Sequence, residues 1–155
     1  MKLFKLFSYH TIGDKVKVEK IDDGYKLFVH NVYFNNIDWD DKESVIDRIK
    51  EIIVLIKKRY NLKIKGLYRV KVYPSKVGVL LYVLLLDEDN YSNLDLELRI
   101  VIIFNKDIYL KVDDSSFLID NNLPYIYKDS YYINIDNIDI IDKYIEYGSI
   151  VLEDE

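Results

Sequence analysis

Apolar residues recur along this chain at two spacings. From Asp40 to Tyr60, DDKESVIDRIKEIIVLIKKRY, the residues Val45, Ile46, Ile49, Ile52, Ile53, Ile56 and Tyr60 follow at steps of three and four. They therefore share one face of an amphipathic helix over about 41–60. Asp40 stands where it can cap the start, with Glu43 three residues later completing a capping box. Acids crowd the first turn and Lys57, Lys58 and Arg59 the last, as the helix dipole favours.

Elsewhere the spacing is mostly two, the period of a half-buried strand. Residues 14–21 and 25–34 read as a hairpin, with Val16 and Val18 on one face of the first arm and Tyr25, Leu27 and Val29 on one face of the second. Asp22-Asp23-Gly24 between them ends in the Asp-Gly pair that suits a turn needing positive φ. After the helix, Leu62–Tyr73 alternates again: Ile64, Tyr68, Val70 and Val72 point one way, and Lys63, Lys65, Arg69 and Lys71 the other. Pro74-Ser75-Lys76 is a turn. Val79–Leu86 is apolar at both parities, which predicts a central strand covered on both faces.

The acidic stretch 87–93 reads as a loop, and Leu94–Phe104 as a strand with Leu96, Leu98, Ile100 and Ile102 inward. Asn105-Lys106-Asp107 turns into a strand over 108–112, and the whole run predicts an antiparallel meander. Residues 113–123 are a loop, and the tyrosine-rich 124–135 holds one strand. Over 137–147, Ile138, Ile141, Tyr144 and Ile145 share a face, so a short C-terminal helix is predicted there, with Gly148 as its left-handed cap and a last strand at 149–152. At the other end, Leu3-Phe4 and Leu6-Phe7 alternate with Lys2 and Lys5. They predict a short element packed on the core, a membrane-surface anchor being the alternative.

These elements predict an α+β fold. A mostly antiparallel sheet carries the long helix, about 41–60, on one face, with the short helix, about 137–147, nearby. No Gly-, Ser- or Pro-rich linker divides the chain, so residues 1–155 are read as a single domain.

Composition narrows the function classes. Half of the 155 residues are hydrophobic, enough for a sizeable core. The formal net charge of −5 argues against a dedicated nucleic-acid binder, whose footprint is usually basic. With no cysteine, disulfides, thiolate metal sites and cysteine nucleophiles are excluded. The N-terminus lacks the apolar run of a signal peptide, and the longest apolar run, Val77–Leu86, is too short for a transmembrane helix; a cytoplasmic location is expected. The chain has no alanine or glutamine and is rich in Lys, Ile, Asn, Tyr and Asp, which suggests the codon bias of a low-GC bacterium or its phage. Part of the tyrosine content then carries no functional meaning.

Few residues could support chemistry. The two histidines, His10 and His30, fall short of a three-ligand catalytic zinc site without a carboxylate. The five glycines are isolated, so there is no phosphate loop, and no serine lies in a G-x-S-x-G setting. The cluster Asp87-Glu88-Asp89 misses the calcium-loop pattern, because Tyr91, Ser92 and Leu98 stand where Asn or Asp, Gly and Glu are needed. No catalytic residue, metal ligand or cofactor is therefore assigned.

The sharpest polar signal is the basic run 57–71. Lys63, Lys65, Arg69, Lys71 and Tyr73 are the candidate binding residues, with tyrosines interleaved that could stack on bases. The plain explanation, the charged solvent face of a half-buried sheet, is preferred. The C-terminal string YKDSYYINIDNIDIIDKYIEYG is faintly similar to the end of adaptor proteins that feed AAA+ proteases in low-GC bacteria; it covers a small part of the chain, and no functional residue is carried over. The expectation is a non-catalytic, adaptor-like protein-binding or regulatory domain whose partner is another protein. Nucleic-acid binding through 57–71 is the alternative, and a carboxylate- or tyrosine-based enzyme ranks third.

Overall fold

The structure, a computed structural model, describes residues 16–87, 96–114, 116, 118, 122–138, 145 and 148–153. The expected N-terminal element at 2–9, most of the acidic loop and much of the 113–123 loop lie outside the described residues.

The fold is α+β, but it has two sheets where the sequence pattern suggested one. In the first, β1 (Val16–Ile21), β2 (Gly24–His30), β3 (Gly66–Pro74), β4 (Gly78–Asp87) and β5 (Leu96–Ile102) lie in the order β1-β2-β4-β3-β5. All neighbours are antiparallel except β3 and β5, which are parallel. The second holds β6 (Ile108–Val112), β7 (Ile126–Tyr127), β8 (Tyr131–Asn134) and β9 (Ser149–Leu152) in the order β7-β8-β6-β9. The expected single meander is thus corrected twice. The parallel β5 skips over β3 instead of pairing with β4, and β6 leaves for the second sheet.

Helix α1 (Lys42–Arg59) connects β2 to β3 and covers one face of the first sheet. Its buried residues are Val45, Ile49, Ile52, Ile53, Leu55 and Ile56; Leu55 joins the face that the three–four spacing implied, while Ile46 and Tyr60 are only half-buried. The cap is Asp41 rather than Asp40. Its carboxylate accepts from the Ser44 backbone N–H at 3.4 Å and the Ser44 hydroxyl at 2.7 Å, two bonds that only the second aspartate makes. The C-terminus closes as a Schellman motif: Asn61 is left-handed at φ 53°, and the Leu62 N–H reaches the Lys57 carbonyl at 3.0 Å. The Arg48 guanidinium donates to the Tyr33 carbonyl at 2.9 Å, tying the helix to the 3₁₀ turn Asn31–Phe34.

The central strand β4 is covered on both faces, as its two-parity apolar run predicted. Val79, Leu81 and Val83 face the helix in one core, with Leu27, Val29, Val70 and Val72. Leu80 enters a second core with Phe28 and Tyr73 from the first sheet and Ile108, Leu110, Ile133 and Ile150 from the second. The molecule is therefore layered helix, sheet, sheet, and the outer face of the first sheet is not simply solvated.

Between the two sheets lies a polar bridge. Lys26, 6 % exposed, stands beside Glu19 in the β1–β2 register with its ammonium 3.7 Å from the carboxylate. Ser149, on β9, donates to Glu19 at 2.7 Å and accepts from Lys26 at 3.3 Å. A buried ammonium needs such partners, and the triad fixes how β9 sits across β1 and β2.

Among the described residues, the C-terminal helix expected over 137–147 is not seen. Residues Ile135–Asn137 form a 3₁₀ turn capped by the Asn134 side chain, and the chain leaves it extended at Ile138. Asn, Asp and β-branched Ile are weak helix formers, and the local Asn134 bond competes with a helix start. Residues 139–144, 146 and 147 lie outside the described residues; Ile138 and Ile145 are buried in the second core, so the apolar spacing there did mark the core. Gly148 is not a left-handed cap, since Gly66 is the positive-φ glycine among the described residues. Its lack of a side chain matters for another reason: a Cβ would overlap the Lys111 carbonyl oxygen and lie 2.8 Å from a Val112 methyl. In the β1–β2 turn, likewise, the positive φ falls on Asp23 at 63° rather than on Gly24.

Candidate functional site

Because β2, α1 and β3 run up, back and up again, three chain segments meet at one end of the first sheet. They are the β1–β2 turn, the C-terminal turn of α1 and the approach to β3. Between them lies a cleft of about 610 Å³ lined by Lys20, Asp23, Tyr25, Lys57, Leu62, Lys63, Ile64, Lys65, Tyr68 and Leu85, with Gly24. Four lysines stand there against one carboxylate, in a chain whose formal net charge is −5. The Lys20 ammonium donates to the Ile21 carbonyl at 2.8 Å and the Gly24 carbonyl at 3.1 Å, and sits 5.0 Å above the Tyr25 ring. The Tyr25 hydroxyl accepts from the Lys63 N–H at 3.4 Å, and the Leu85 N–H donates to the Asp23 carbonyl at 2.7 Å. These bonds hold the walls together.

The candidate binding residues divide. Lys63 and Lys65 line the cleft, but they precede β3, which begins at Gly66 with φ 99°. That left-handed residue and the irregularity between Leu67 and Tyr68 break the alternation read from the sequence. Arg69 and Lys71 lie within the strand, on the face opposite Val70 and Val72, away from the helix. Tyr73 is no surface residue: at 7 % exposed it belongs to the second core, its ring edge-on to Tyr82 at 5.8 Å. The second sheet buries the position that alternation had placed on an open face. Lys20, Asp23 and Tyr25 join the cleft unforeseen, since nothing in the local sequence says that the hairpin turn abuts the helix end.

A second surface stands out at the edge of the second sheet. Tyr125, Ile126 and Tyr127 are 46, 52 and 60 % exposed, three consecutive large side chains. The rings of Tyr125 and Tyr127 lie 5.3 and 4.8 Å from the Tyr131 ring, which positions them. Beside them runs a shallow groove of about 260 Å³ lined by Tyr109, Pro124, Tyr125, Ile126, Tyr132, Asn134 and Asn137. The Tyr132 hydroxyl donates to Asp129 at 2.8 Å; this bond is the main reason its phenol is pushed above the usual tyrosine value, and it holds the Asp129 carboxyl below the usual carboxylate range. Burial, with Asp107 and Glu153 nearby, raises Tyr109.

Among the described residues no group of three or more His, Asp or Glu side chains is placed to hold a metal ion. His30 has a structural task, its Nδ1 accepting the Val32 N–H at 3.1 Å at the head of the 3₁₀ turn. Asp114 accepts from the Ser116 N–H at 2.9 Å, which lowers its pKa, and Asp113 accepts from the Ser130 hydroxyl at 3.0 Å. No helix among the described residues is long and apolar enough to cross a membrane. No protein-family model, no curated protein and no solved structure matches the chain.

Proposed function

We propose that the chain is a non-catalytic, adaptor-like protein-binding or regulatory domain, acting as one unit over residues 1–155, whose partner docks on the tyrosine edge of the second sheet. The observation that carries this reading is the run of three exposed residues, Tyr125 and the two residues of the edge strand β7, Ile126 and Tyr127. Large rings held by neighbouring rings offer contact area at low entropic cost, and tyrosine is enriched where proteins meet. An edge strand also presents backbone groups to which an extended segment can add. Exposed Lys128, Asp129 and Asp136 stand near the edge, a rim of mixed charge, so the partner segment is apolar or aromatic. Nucleic-acid binding is less well supported, because the basic run 57–71 divides between a cleft and the opposite sheet face instead of forming a continuous track.

Affinity capture from the native cells, with the wild-type chain and with a Tyr125→Ser, Ile126→Ser, Tyr127→Ser variant, tests the reading. One protein partner should be enriched by the wild type, lost with the triple variant and retained by Lys63→Gln, Lys65→Gln. A partner held equally by the triple variant would contradict it.

A further inference from the structure

Independently of the tyrosine edge, we infer that the lysine-lined cleft is a binding site for a phosphorylated small molecule of nucleotide size. Three features lead there. The first is size: about 610 Å³ falls within the range of small-molecule sites, and is far more than an inorganic anion fills. The second is charge. Lys20, Lys57, Lys63 and Lys65 reach one cleft from three chain segments, and a cluster of ammonium groups on flexible stems suits the point-charge recognition of phosphate. At the adjoining helix C-terminus, whose bare carbonyls would repel an anion, the Tyr60 and Leu62 N–H groups take the Ile56 and Lys57 carbonyls at 2.9 and 3.0 Å.

The third feature is the apolar remainder of the lining. Tyr25, Leu62, Ile64, Tyr68 and Leu85 form a wall that a bare phosphate would leave unused and that a flat or apolar body would cover. Tyr25 is fixed at both ends, by Lys20 over its ring at 5.0 Å and by its hydroxyl bond to Lys63 at 3.4 Å, so it is a preformed platform. Asp23 supplies one acceptor for an amino or hydroxyl group of that body. Lys57, Lys63 and Lys65 take the phosphates, and Tyr25 with Leu85 takes the body.

Calorimetric titration of the full chain at low salt tests the assignment, with adenosine triphosphate, tripolyphosphate, adenosine and a single-stranded RNA dodecamer as probes. Adenosine triphosphate should bind saturably with Kd below about 1 mM, tighter than either tripolyphosphate or adenosine, and weaken as salt rises. Lys63→Gln, Lys65→Gln should weaken it by about tenfold or more, whereas Arg69→Gln, Lys71→Gln should leave it unchanged. Proton spectra should show the Tyr25 ring resonances shifting on titration, and the spectrum of each variant shows that it is folded. The inference is overturned if the triphosphate gives no saturable binding, or if the folded cleft variant binds as the wild type does. It is equally overturned if RNA alone binds and Arg69→Gln, Lys71→Gln abolishes that binding.

Discussion

Removing the negative charge of Glu19 tests the seam between the two sheets most sharply. Glu19→Gln keeps the shape of the side chain but leaves the ammonium of the buried Lys26 side chain facing a neutral amide 3.7 Å away. At an effective dielectric of about 20, the lost attraction is roughly 4 kcal/mol before solvent is considered. Glu19 is 24 % exposed, so water already shares in screening the pair, and the net destabilisation should be about 1–3 kcal/mol. Lys26→Met should cost less, within about 1 kcal/mol. It fills the same space with apolar atoms, and a quarter-exposed Glu19 can turn to water while keeping the Ser149 hydroxyl bond at 2.7 Å. Equilibrium urea unfolding at neutral pH measures both. The reasoning is refuted if Lys26→Met is the more damaging change, or if Glu19→Gln is silent, because then no desolvated ammonium sits between β2 and β9.

Further outcomes follow from other parts of the fold. Ile49→Ala, at a fully buried site beneath the helix, should destabilise by about 2–5 kcal/mol in the same urea assay; a loss under about 1 kcal/mol would mean the helix is not packed on the sheet as described. Gly148→Ala should cost roughly 1–3 kcal/mol, because the new methyl meets the Lys111 carbonyl and strand β6 must shift; a neutral result would place β9 further from β6. The Tyr132–Asp129 bond is present at neutral pH. It is lost as pH rises through the raised tyrosine pKa, and again as pH falls through the lowered aspartate pKa. In an ultraviolet phenolate titration Asp129→Asn should therefore bring Tyr132 ionisation down toward the usual tyrosine value, and an unmoved titration would show that the bond does not form.

What could be read from the sequence follows the reach of each signal. Helix α1 was legible because its face repeats over five turns and its ends carry local chemistry. The choice between Asp40 and Asp41 as cap turned on Ser44, whose hydroxyl bonds the second. β4 was legible as doubly covered because Leu80 and Leu81 are both apolar, yet the pattern could not say what lies on the Leu80 side. Strands at 108–112 and 149–152 could be read locally, but no local signal says that they form a second sheet packed on the first, and Tyr73 was misplaced for that reason. Among the described residues, the start expected for the short C-terminal helix is instead a 3₁₀ turn capped by Asn134, with Ile138 extended. The cleft could be half seen: Lys63 and Lys65 were found as charged residues, but the left-handed Gly66 that separates them from Arg69 and Lys71 leaves no mark in an alternation count. Lys20 and Tyr25 reach the same cleft only through strand order, which local sequence does not encode.

A protein contact made by the proposed tyrosine edge is tested most directly by its salt dependence. The affinity of the purified chain for its captured partner should be followed from about 50 mM to 500 mM salt, with the wild type and with Lys63→Gln, Lys65→Gln. A ring-anchored interface predicts a shallow log–log slope, the same for both, and loss of binding when Tyr125, Ile126 and Tyr127 become serine. A steep linear fall that the lysine changes flatten, with the serine variant binding as before, would contradict the account and move the functional surface to the lysines.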